Sequence, residues 1–269
     1  MVTQQLSVAF FWLAMASYIS SFIFYVAKLK SPNRSYLKAA QSFMVTGLVL
    51  ATLTIVLRVM AVGSIGNIDL FELFLIASWV VVLQALIVEK WSNVKILGLY
   101  ASVLAVFLML VGWSRYNVPQ ALFENLKSTS VLIHVALIVI AYASFFIAAG
   151  AAVFFLLQEK SLKEKKQGVL QKFLPSLQVL DEAAFRSIAG GFVLFTIALV
   201  LGFGSAIKLW ENSWDVTIII SSLITWGLYL FYLFSRIGIG WVGRNSSYLA
   251  IAGLVPVAIT SIVTYLSSL

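Results

Sequence analysis

The chain has 269 residues; 62% are hydrophobic, 10% are charged, and 18 Lys+Arg against 10 Asp+Glu give a formal net charge of +8. A soluble domain carries about 25% charged residues, so this composition excludes a water-facing globular surface and describes an integral membrane protein. The absence of cysteine and the single histidine, His134, exclude a disulfide scaffold, a dithiol redox site, a thiolate zinc site, an iron–sulfur cluster, a bis-histidine haem within one chain, and His-rich copper or di-iron centres.

A hydrocarbon core needs roughly 20 apolar residues per helix. Eight stretches qualify in chain order: Val8–Ala27, Leu37–Met60, Ile68–Val88, Ile96–Trp113, Ser130–Leu157, Ser187–Ile207, Val216–Ser235 and Ser246–Leu266. The runs are continuous rather than alternating, which argues for helices over barrel strands. The expected fold class is therefore all-α, a polytopic protein with eight transmembrane helices, read as a single transmembrane domain over residues 1–269. The first run carries no preceding basic residue and is longer than the apolar region of a cleavable signal peptide.

An even number of spans puts both termini on one side. The odd-numbered loops hold 14 basic residues and the other side holds 4, namely Arg58, Arg115, Lys127 and Lys208. Basic residues collect in cytoplasmic loops, so the odd loops are expected in the cytoplasm and both termini outside. The same rule accounts for the positive net charge without nucleic acid. The longest hydrophilic stretch, residues 158–186, contains KSLKEKK and Pro175. It is expected to be a basic cytoplasmic loop that fixes topology or meets anionic lipid or a cytoplasmic partner.

Ionisable residues at membrane depth usually have a partner or a function. Arg58 lies near the outer end of the second span, and Asp69 and Glu72 stand at the start of the third. A tight turn with Gly63 and Gly66 between them is expected to bring Arg58 close to Glu72. Such a group either pairs structurally at a helix N-terminus or orients a polar ligand group. His134 lies one turn inside the outer end of the fifth span, among Ser130, Leu137, Ile138 and Ala141. It suits an interfacial hydrogen bond to a neighbouring helix. It equally suits an axial bond to haem iron, which wants an imidazole beside an apolar wall. An outer loop at about residues 208–215 carries Trp210, Trp214 and Asp215. The two tryptophans form either an interfacial belt or a platform for a planar aromatic ligand. Pro256 is the one candidate break in the last span.

Four segments resemble a known family, the cytochrome c assembly membrane proteins, which include the haem-handling subunit of the two-component synthetase and HemX-like proteins. They are DLFEL with Trp79 following, LKSTSVLIHVALIVIAYASF, DEAAFRSIAGGFVLFTIALVLGFGSA, and LITWGLYLFYLFSRIGIGWVGRNSSYLAIAGL. The resemblance runs from about Leu48 to the end. It implies that His134 matches an external haem-ligand histidine, the metal ligand here. It also implies that Trp210, Trp214 and Asp215 match what remains of a tryptophan-rich haem-contact motif, with Glu72 a further candidate cofactor-binding residue. The cofactor it implies is haem b. Departures are equally legible: the loop WENSWDV lacks a Pro-Lys-Glu tail, and the chain ends TYLSSL without a second external histidine. Ala51 and Thr52 stand where haem-transporting members tend to carry a membrane histidine.

Two functions of different class follow. One is haem handling in c-type cytochrome biogenesis, presenting haem at the outer face to apocytochrome c with another membrane subunit as partner. The other is a HemX-like regulatory or assembly scaffold without haem, using the Lys-rich loop as contact surface. A small-molecule transporter is least favoured, because no Pro-broken helix pair or midplane charge marks a substrate site. No self-contained catalytic site is visible. The implied surroundings are the lipid bilayer of a bacterial cytoplasmic membrane or a thylakoid-type membrane.

Overall fold

The computed structural model describes residues 2–31, 33–62, 69–116, 129–165, 173–209 and 216–266. With no water in a bilayer core, a spanning segment must satisfy its own backbone, which an α-helix does. The described chain forms α1 (Val2–Lys30), α2 (Arg34–Val62), α3 (Leu70–Ser92), α4 (Ile96–Trp113), α5 (Thr129–Lys163), α6 (Leu177–Leu209), α7 (Val216–Ile237), α8 (Arg244–Ala252) and α9 (Leu254–Leu266). Eight helices are long and apolar enough to cross a membrane, the last one combining α8 and α9. All eight expected spans are helical, and α4 has the bounds the sequence predicts.

Most helices run a few residues beyond the expected spans, and three departures bear on the fold. α5 runs through Lys163, where Lys163 pairs with Glu159 at 2.6 Å. α6 begins at Leu177, and Arg186 pairs with Glu182 at 2.7 Å along its first turns. Much of the expected loop at 158–186 is therefore helix, because pairs four residues apart support a helix once it leaves lipid. At 35 residues, α5 is about 52 Å long, well beyond a hydrocarbon core. The eighth span breaks at Gly253. Pro256 lacks the N–H that would bond the Ala252 carbonyl, and its ring crowds that carbonyl.

The chain divides into two compact units, one over residues 1–124 with 168–173, the other over 125–167 with 174–269. In the first, α1–α4 pack around two tyrosines of α1. Tyr18 and Tyr25 are fully buried and lie two turns apart on one face. A Cβ added at Gly47 of α2 would lie 2.5 Å from the Tyr18 ring, and one at Gly98 of α4 would strike the Tyr25 hydroxyl. Each tyrosine thus fills a notch that only glycine leaves, a close-approach packing suited to lipid, where apolar burial gives helices little drive to associate. α2 and α3 are joined by polar links at three levels. Gln41 bonds Glu89, the Trp79 indole donates to Thr52 Oγ1 at 2.8 Å, and Arg58 meets Glu72.

In the second unit, α5 presents Ala141, Ala148, Ala149, Ala151 and Ala152 to the interior. A Cβ at Gly191 of α6 would fall 2.8 Å from Ser144 of α5, so these two helices lie backbone to backbone. Phe145 stacks on Tyr229 at 3.9 Å, and Tyr229 fills the space a Cβ on Gly253 would take. The outward surface is apolar, as Val200 (68% exposed), Phe234 (60%) and Val49 (53%) illustrate. That inversion of the soluble pattern is what lipid requires.

Candidate functional site

Polar groups stand at three helix-end regions, one in the first unit and two in the second. In the first unit, α2 ends and α3 begins. Asp69 caps α3, accepting N–H bonds from Phe71 at 2.9 Å and Glu72 at 3.2 Å, while Glu72 reaches back to the Asp69 amide at 3.2 Å. This reciprocal box satisfies N–H groups that a helix start leaves open. Glu72 Oε1 also takes both Nε, at 2.6 Å, and Nη2 of Arg58, the approach expected from the sequence; the expected turn with Gly63 and Gly66 itself lies outside the described residues. The guanidinium lies over the rings of Phe71, 5.1 Å to the centroid, and Tyr116, 5.4 Å. Trp113 stacks on Tyr116 at 4.7 Å and on Phe11 at 5.2 Å. Burial, then the Glu72 carboxyl beside it, pushes the Asp69 carboxyl up to about 7. Both Glu72 oxygens are engaged, so the cluster is closed upon itself.

The second end is built from α5 and α6. His134 stands in the second turn of α5, and its Nδ1 lies 2.6 Å from the Ala198 carbonyl of α6. Gly202, one turn further along α6, leaves room for the ring: an added Cβ would sit 2.5 Å from Cε1. Trp210, Trp214 and Asp215, the other residues the sequence singles out, lie outside the described residues. Among the described residues, no group of three His, Asp or Glu side chains converges to hold a metal ion.

At the opposite end of the second unit is a clasp that sequence reading missed. Arg236 of α7 meets Asp181 of α6 at 2.6 Å and Glu182 at 3.7 Å, and its guanidinium covers Phe185 at 4.9 Å. Asp181 also accepts the Gly243 amide at 3.0 Å. Gly240 and Gly243 hold φ of 78° and 75°, a region that favours glycine, so the Gly-Trp-Val-Gly turn can fold back onto Asp181. The available signal was an acid in one family-like segment and an Arg in another.

Ala51 is fully buried, and Thr52 holds the Trp79 indole. The level of α2 where a membrane histidine would stand is thus occupied by an apolar contact and a neutral hydrogen bond.

The family model described as "Cytochrome C assembly protein" matches residues 68–268. A cytochrome c biogenesis protein CcsA from Guillardia theta is 29% identical over 231 residues, covering 77% of this chain and 76% of the relative. A CcsA from Prochlorococcus marinus is 27% identical over 241 residues, covering 77% and 75%. Protein HemX from Brevibacillus brevis is 26% identical over 222 residues, covering 81% of each.

Proposed function

Because the chain belongs to the cytochrome c assembly protein family, we propose that it handles haem in c-type cytochrome biogenesis, holding it at the outer membrane face for attachment to apocytochrome c. The observation that carries this reading is the His134 imidazole, held on a helix backbone through Nδ1, with Nε2 taken by none of the described residues. An imidazole oriented this way has the chemistry of a haem axial ligand, so the residue fits the group. His134 is the ligand we assign to this chain. Trp210, Trp214 and Asp215, which lie outside the described residues, would contact the haem. Glu72, bound to Arg58, steadies the outer surface of the other helical unit. Haem itself, of the b type, brings the vinyl groups to which apocytochrome cysteines add. The chain's residues bind and orient. A further membrane subunit of cytochrome c assembly would complete the site and supply a further iron ligand.

The basic-residue bias supports placing both termini, and the His134 end of α5, outside the cytoplasm. The membrane is a bacterial cytoplasmic membrane or a thylakoid-type one. The proposal is tested by purifying the protein with added haem and recording its absorption. A Soret band that shifts or disappears in His134→Ala is the expected result; no band in the wild type overturns the reading.

The likeness to HemX, together with the single histidine, favours a second reading: a regulatory or assembly scaffold without haem. Its contact surface is the Lys-rich segment with Lys163, Lys165 and Lys166. Neutralising those three side chains is then expected to abolish co-purification of a partner. Unchanged co-purification removes this reading.

A further inference from the structure

The chemistry of the His134 contact goes further than the identity of a ligand residue. A backbone carbonyl has no proton to give. At 2.6 Å from the Ala198 oxygen, Nδ1 must therefore carry the proton. In a neutral imidazole the other nitrogen, Nε2, then has the lone pair. The carbonyl has two lone pairs: one serves the helical bond from residue 202, and the second remains for an imidazole. No described residue takes Nε2.

Gly202 fixes the ring's position independently of that hydrogen bond. A Cβ there would lie 2.5 Å from Cε1, 2.9 Å from Nδ1 and 3.3 Å from Nε2. The Nδ1–Cε1 edge of the ring is thus pressed into the glycine notch, with Nε2 the more distant nitrogen. Any side chain at 202 drives this edge off the helix and lengthens the bond to Ala198. Two residues on, a Cβ at Gly204 would meet nothing within 4 Å. The notch belongs to 202 alone of these two.

We infer that the Ala198 carbonyl and Gly202 form a backbone clamp that locks His134 in the Nδ1–H tautomer and orients Nε2 as its iron-binding atom. This rests on the haem reading for the identity of the metal, while the tautomer lock stands on geometry alone. Ala198 and Gly202 are positioning residues: they act through the imidazole. A hydrogen bond from the non-ligating N–H to a carbonyl raises the basicity of the ligating nitrogen, and partners of this kind change metal affinity by about 10–100-fold.

The test exploits the single histidine. Protein labelled with ¹⁵N-histidine and purified through a histidine-free tag shows one imidazole by NMR, before any haem is added. The expected spectrum has a protonated Nδ1 and an unprotonated Nε2. An Nε2–H tautomer, or a rapidly averaged mixture, overturns the clamp. Gly202→Ala is expected to convert the spectrum to a mixture and weaken haem binding by about 10–100-fold, while Gly204→Ala leaves both as in the wild type. Equal spectra for all three proteins overturn the role of Gly202. The wild-type measurement decides the tautomer even if Gly202→Ala does not fold. A locked Nδ1–H tautomer in a protein that takes no haem supports the clamp and removes the haem reading. Haem bound through His134 with an Nε2–H apo tautomer does the reverse.

Discussion

The polar cluster at Arg58 and the histidine at the start of α5 stand at equivalent places, each at a helix end of its own unit, yet they are finished differently. Glu72 spends both oxygens on Arg58 and the Asp69 amide, and aromatic rings cover the guanidinium. His134 spends one nitrogen on a carbonyl. A saturated group in a membrane protein holds helices together. The His134 ring, held through Nδ1 and with Nε2 met by no described residue, is the one we propose binds haem. The Asp181–Arg236 clasp belongs with the first kind: Asp181 is filled by a guanidinium and an amide.

If the Arg58 cluster is structural, breaking it unfolds the protein rather than changing a spectrum. Arg58→Leu strands the Glu72 carboxylate in a buried setting, a loss of about 3–5 kcal/mol, read as a large fall in Tm in detergent. The double variant Arg58→Leu/Glu72→Leu is expected to recover much of it, since two apolar groups leave no orphan charge. A single variant with wild-type Tm breaks the comparison.

The glycine notches give a smaller effect. Gly98→Ala overpacks the Tyr25 site and costs about 1–3 kcal/mol. In combination with Tyr25→Phe, which trims the atom struck first, the losses should sum to less than their separate values. Strict additivity contradicts the notch.

The link at the middle of α2 is smaller again. Thr52→Val leaves the Trp79 indole without its acceptor, a loss of about 0.6 kcal/mol, the usual size of an interhelical hydrogen bond in a membrane. A tryptophan emission spectrum and Tm both identical to wild type contradict the contact.

The Asp69 cap sharpens the comparison through pH. Its folded carboxyl titrates near 7, above the ordinary 3.8, so the folded state holds this proton more tightly than the unfolded chain. Stability from this group is greatest below about pH 4 and falls as pH rises to 7. Asp69→Asn keeps an oxygen for the two amides and is expected to flatten the dependence of Tm between pH 5 and 8. An unchanged slope contradicts the titration.

The spans were legible because a 20-residue apolar run has one solution in lipid. The Arg58–Glu72 pair was legible because opposite charges stand at the adjoining ends of two consecutive apolar runs. The helical continuation of α5 beyond Leu157 was not, since composition there changes from apolar to charged while the helix persists on Lys163–Glu159 pairing. Glycine notches leave a residue letter but not its partner: nothing in the spacing of Tyr18 and Gly47 says that they meet. The contact that matters most to His134 was least legible, because a backbone carbonyl is present at every position and carries no signature in the letters around Ala198.

The one histidine is proposed as a haem ligand supplied by this chain. Haem titration of the purified wild type and of His134→Ala, followed through the Soret band, tests it most directly. A saturating, shifted band is expected for the wild type, and its loss or displacement in the variant. Identical spectra for the two proteins would contradict it.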